Sequence, residues 1–226
     1  MALHVRDGVV YMVALVLSIC VHEFGHAVVA DKLGDPLPRA QGRVTLNPLA
    51  HIDPIGTLLL PIAAFAMAIY SPDAGARMIG WGKPVQVSLS ARSISRKISL
   101  RTADILISAA GPVMNILFAV VLSGVYLALL KFGGDSTIQF ARPVRSIIAM
   151  NLGLCFFNLI PLPPLDGGHI AKNLLPRSLD YVGEALQKYG YMALFLLLMT
   201  GMLSYVMLPA SYAAAWWLNL LNGLVA

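Results

Sequence analysis

Apolar runs long enough to cross a hydrocarbon slab recur along this chain, and no other sequence feature restricts its fold so strongly. A spanning helix needs about 20 predominantly apolar residues, because each adds ~1.5 Å across a slab ~30 Å thick. Five stretches approach that length: residues 9–30, 54–70, 103–130, 144–165 and 189–208. The tail over 209–226 is apolar too, and its Trp216-Trp217 pair suits a membrane–water interface. Composition agrees. The chain is 58% hydrophobic and 12% charged, against about 45–50% and about 25% in soluble domains. The expected class is therefore all-α and polytopic, with about five transmembrane or re-entrant helices.

Two connections are long enough to hold something else. Gly42-Arg-Val-Thr-Leu-Asn47 alternates in part, carries β-branched residues and stops at Pro48. Pro84-Val-Gln-Val-Ser88 is similar. Together they predict a short β-hairpin near the cytoplasmic face. The rest reads as one membrane-embedded domain over residues 1–226, with a core at about 9–169 and extra C-terminal helices over 185–226. The first apolar run continues into an ionisable cluster without a small-residue cleavage site, so it reads as a retained segment rather than a signal peptide. Cys20 and Cys155 both sit in apolar runs and read as packing residues.

The formal net charge is +5. Its excess gathers in one connection: Arg77, Lys83, Arg92, Arg96, Lys97 and Arg101, opposed by Asp73. No aromatic residues interleave there to stack bases, which argues against a nucleic-acid partner. The pattern fits a cytoplasmic loop.

Chemistry concentrates in His22-Glu23-Phe24-Gly25-His26, near the end of the first apolar stretch. On a helix, residues four apart share a face, so both imidazoles reach one metal ion. Glu23, one step around, is placed to act on a metal-bound water. Ionisable clusters in hydrocarbon are costly and functional by default. A catalytic zinc usually takes three protein ligands and keeps a position open. His4 lies at the far end of the first helix and cannot return. His51 is either that third ligand or an interfacial or loop-capping histidine. Asp166 has the stronger context, in Asn158-Leu-Ile-Pro161-Leu-Pro163-Pro164-Leu-Asp166-Gly167-Gly168-His169. The prolines end the helix, and an unwound carboxylate-bearing segment at membrane depth belongs in a wet cavity or buried in protein. Asn115 reads equally as an interhelical clamp or an active-site donor. His169 reads as a partner behind a ligand or as an interfacial histidine.

These three patterns, with Gly111-Pro-Val-Met-Asn115 between the outer two, resemble the site-2 protease family of intramembrane metalloproteases, from about Val9 to His169. The resemblance implies one Zn2+ per chain held by His22, His26 and Asp166, with Glu23 as catalytic base. It also implies polar active-site roles for Asn115 and Asn158. Many relatives carry a PDZ domain or paired nucleotide-sensing modules, and neither is recognisable here. The implied substrate is a membrane-spanning protein; the expected location is a prokaryotic inner membrane, and the basic connection puts the site nearer the cytoplasmic face. The oligomeric state is not legible.

A peptide bond within a helix is shielded, so the substrate must first be extended. Residues 42–47 either template it by strand addition or simply pack as a hairpin. Two other functions compete. A membrane zinc peptidase acting on lipidated or soluble substrates typically takes a downstream glutamate as third ligand, and Glu184 has no matching context. A metal transporter or binding protein would string ionisable groups along a path, whereas here they form one cluster. Finally, His22 and His26 lie near the end of the first stretch and Asp166 lies past the end of the fourth. Sharing one zinc requires those two stretches to run parallel, which predicts that residues 54–70 dip in and return or lie in the interface.

Overall fold

A computed structural model of the chain describes residues 2–63, 82–88 and 98–225. The long helices are α1 (Ala2–Lys32), α3 (Leu100–Phe132), α5 (Ala141–Asn158) and α7 (Asp180–Met199). Shorter helices are α2 (Leu37–Ala40), α4 (Asp135–Ile138), α6 (Asp166–Leu174), α8 (Leu203–Val206) and α9 (Leu208–Gly223). Helix α3 is the centre of the packing, with α1, α5 and α6 against it.

The described residues contain no strand, so the expected β-hairpin is overturned. Local turns take the backbone groups a ladder would need. Thr45 N donates to Arg43 O, Asn47 N donates to the Thr45 hydroxyl, and the Asn47 side chain caps a 3-10 turn over Pro48–Ala50. Gly42 has φ 67°, a turn conformation rather than an extended one. Residues 82–88 are irregular, and buried Arg43 holds them by donating to the carbonyls of Lys83 and Pro84.

The expected count of about five transmembrane or re-entrant helices is also corrected. Among the described residues, two helices are long and apolar enough to cross a membrane, Gly8–Lys32 and Leu100–Phe132. The 144–165 run breaks where α5 ends at Asn158, ahead of Pro161. Helix α5 itself is 18 residues long and carries Arg142 and Arg145, about 27 Å at ~1.5 Å per residue. The 189–208 run is interrupted by a turn at Gly201, φ 74°. Of the 54–70 stretch, a π-helical turn over Pro54–Leu59 begins behind the Asp53 cap, and residues 64–70 lie outside the described residues. So do Asp73, Arg77, Arg92, Arg96 and Lys97 of the basic connection.

Contacts order the helices clearly. Ser18 meets Asn115, and His26 meets Ile107, so α1 and α3 run antiparallel. Ser18 also meets Asn151, while Val10 and Tyr11 line one groove with Arg142 and Ser146, so α1 and α5 run parallel. Helix α3 leaves Val113, Leu117, Val120, Val121 and Val125 exposed along its length. A contiguous apolar face of that size on a helix this long suits lipid contact.

Candidate metal centre

Residues inside α1, in the first half of α3 and at the start of α6 build the site. His22 and His26 lie one turn apart on α1, both buried. Their rings meet edge-on, with centroids 4.7 Å apart. Asp166 arrives from elsewhere, as the first residue of α6. The Pro161–Pro164 stretch turns the chain sharply between α5 and α6, and Gly167 and Gly168 make that turn possible. A Cβ on Gly167 would collide with the carbonyl oxygens of Leu159 and Ile160, and one on Gly168 with the Pro163 nitrogen. The glycine pair therefore serves this backbone-on-backbone contact, which fixes where the Asp166 carboxylate points.

The donor atoms converge. His22 Nε2 lies 3.0 Å from His26 Nε2. Asp166 Oδ2 is 3.2 Å from His22 Nε2, and Oδ1 is 3.4 Å from His26 Nε2. Partners behind the rings decide which nitrogens carry protons. His26 Nδ1 lies 2.7 Å from the Ile107 carbonyl, which only accepts, so Nδ1 is the donor. His22 Nδ1 lies 2.7 Å from Asn115 Oδ1 and donates likewise. With both rings neutral, each Nε2 presents a lone pair. Two lone pairs and a carboxylate then face one another with no hydrogen among them. Asp166 Oδ2 is buried and has no hydrogen-bond partner. A divalent cation resolves this arrangement, and two imidazole nitrogens with one carboxylate oxygen fit Zn2+. Gly111 on α3 leaves room, since a Cβ there would lie 2.5 Å from His26 Nε2 and 2.6 Å from His22 Nε2. Among the described residues this is the one His/Cys/Asp/Glu group arranged to hold a metal ion.

Glu23 is half-buried beside the centre, and its Oε2 accepts a hydrogen bond of 3.0 Å from Val85 N. The 82–88 segment is thus tied directly to Glu23. Asn115 is fully buried, and its Nδ2 donates to Ser18 O (3.2 Å) and Asn151 Oδ1 (2.9 Å). Both amide hydrogens are committed to helix neighbours. Asn158 donates to Leu154 O within its own helix.

Neither His51 nor His169 belongs to this cluster. His51 Nε2 lies 2.8 Å from the Thr45 carbonyl, inside the 42–51 loop. His169, one turn beyond Asp166, faces Asp104 on α3 at 3.4 Å, and that carboxylate holds its pKa above the ordinary histidine range. Asn173 donates to the same carboxylate, and Arg101 makes a two-pronged pair with Asp180 at 2.7 and 2.8 Å, so α6 and α7 are fastened to the start of α3. The side chain of His4 lies outside the described residues. Sequence reasoning missed Asn151, Ser18 and the Ile107 carbonyl. An asparagine inside an apolar run was the available signal for the first. Backbone carbonyls leave no signal at all.

Among the described residues the chain has two candidate spans, and it brings two buried histidines and a partly buried aspartate together as a set that could hold a metal ion. Residues 10–142 and 129–201 match peptidase family M50, and the chain belongs to that family. It is 35% identical over 204 residues to the Bacillus subtilis protein named "Putative zinc metalloprotease YwhC", covering 88% of this chain and 84% of that one. It is 30% identical over 187 residues to "Putative zinc metalloprotease Rip2" of Mycolicibacterium smegmatis, covering 81% and 64%. A zinc metalloprotease of Methanocaldococcus jannaschii is 26% identical over 173 residues, covering 76% and 36%. No solved structure matches the chain.

Proposed function

We propose that this chain is an intramembrane zinc metalloendopeptidase that hydrolyses peptide bonds of membrane-spanning proteins. His22, His26 and Asp166 hold one zinc ion, and Glu23 is the catalytic base. The convergence of those three side chains, with both histidine tautomers set and Glu23 on the same helix, carries the reading. Family membership and the names of the relatives support the reaction class.

Bound zinc supplies Lewis acidity and lowers the pKa of coordinated water toward about 7. The chain's own residues do the rest. Glu23 takes a proton from the attacking water and delivers it to the leaving amine. Val85 N–H holds the Glu23 carboxylate in place. Burial of both histidines keeps bulk water from competing for the site. The protein is embedded through at least α1 and α3, in a prokaryotic inner membrane. The connection leading into α3 carries the basic cluster, and α3 meets the centre in its first half, at Ile107, Gly111 and Asn115. The positive-inside rule supports a centre nearer the cytoplasmic face.

The test is cleavage in proteoliposomes of a single-span substrate beside a soluble peptide of the same sequence. The single-span protein should be cut within or beside its span, at least about tenfold faster than the peptide, and a zinc chelator should stop both. Faster cutting of the soluble peptide would contradict the intramembrane assignment while leaving the peptidase class intact.

A further inference from the structure

Asn151 is fully buried on α5, and the chemistry above makes no use of it. Its Nδ2 donates to Ile147 O and to the Ser18 hydroxyl, both at 2.9 Å. Its Oδ1 accepts from Asn115 Nδ2 at 2.9 Å. The Ser18 hydroxyl spends its own proton on Ala14 O at 2.7 Å. A carbonyl only accepts, so Ile147 O dictates which end of the Asn151 amide is nitrogen. The oxygen end then faces Asn115, which must answer with its nitrogen. Ser18 O, 3.2 Å from that nitrogen, demands the same. The oxygen of Asn115 is left turned toward His22 Nδ1.

The two histidines differ in how they are set. His26 meets a backbone carbonyl, which cannot turn over. The partner of His22 is a side-chain amide, whose two ends are nearly equal in shape. Were it to flip, an N–H would face His22 Nδ1, the ring proton would move to Nε2, and Nε2 could no longer bind a metal. We infer that Asn151 is a positioning residue for the metal centre. Acting through Asn115, and steadied by Ser18, it locks His22 in the tautomer whose Nε2 lone pair faces His26 and Asp166. The inference rests on the reading of His22 as a zinc ligand.

A double-mutant cycle on zinc affinity tests it, using the full chain in detergent and competition with a chelator. Asn115→Ala should weaken zinc binding about 10–100-fold, as loss of a ligand's supporting partner does. Asn151→Leu should weaken it about tenfold. Added to Asn115→Ala, it should cost less than about twofold, because the residue it acts through is gone. Equal losses in both backgrounds would mean a purely structural role and overturn the inference, as would no loss in either. If Asn151→Leu fails to fold, Ser18→Ala decides. It removes a single oxygen and should give a few-fold loss that likewise disappears in the Asn115→Ala background. His22→Ala in the same assay separates the two levels. Zinc retained there overturns the ligand reading and the relay with it. Zinc lost there, with affinity unchanged in Asn151→Leu, overturns the relay alone.

Discussion

Gly111→Ala should remove zinc and activity together. The backbone of α3 passes directly beneath the two imidazoles, and an added Cβ would lie 2.5 Å from His22 Cε1 and from His26 Nε2. The helices have no slack to absorb the clash, because at Gly25 a Cβ would already lie 2.7 Å from the Ala110 carbonyl. The rings must therefore rotate, and each then gives up its Nδ1 partner, Asn115 or Ile107. Losing ligand geometry and supporting hydrogen bonds at once should lower zinc affinity by at least about 100-fold. Overpacking should cost a further ~1–3 kcal/mol of stability. Gly124→Ala is the matched control, on the same helix with nothing within 4 Å of an added Cβ. Metal content after dialysis against a chelator reads both variants. Zinc held by Gly111→Ala as firmly as by Gly124→Ala would place the ion somewhere else.

Glu23→Gln separates the base from the ligands. The glutamine oxygen can still accept from Val85 N, so the 82–88 segment keeps its anchor. Zinc should remain at about one ion per chain, since Glu23 lies outside the three-ligand set. Cleavage should fall by about 10²–10⁴-fold, the usual worth of a general base. Single-turnover cleavage and metal analysis on the same preparation give both numbers. Loss of zinc would make Glu23 a ligand, and a rate within about tenfold of the unaltered enzyme would remove it as the base.

The centre was more legible than the fold around it. The four-residue spacing of His22 and His26 is a local property of a helix, so a sequence displays it directly. Asp166 was legible because three prolines and two glycines announce a break that only a site would justify. The parallel course of α1 and α5 followed from requiring those groups to share one ion, and the helix contacts agree. The strands did not follow. Six residues of partial alternation at 42–47 hold too little information against a Gly42 turn and an Asn47 cap, which satisfy the same backbone groups locally. The span count failed for a related reason. Hydropathy sums over residues without registering where a helix ends, so the 144–165 run counted as a full stretch although its prolines stop the helix, which ends at Asn158. The relay through Asn151 stayed hidden because its logic lies in the carbonyls of Ile147 and Ser18, which every residue type supplies alike.

X-ray absorption at the zinc edge tests the ligand set most directly. The account predicts two imidazole nitrogens at about 2.0–2.1 Å and a carboxylate oxygen at about 2.0–2.2 Å, with zinc lost from Asp166→Ala. A third imidazole, from His51 or His169, would contradict it, as would a sulfur shell near ~2.3 Å or full zinc retention in Asp166→Ala.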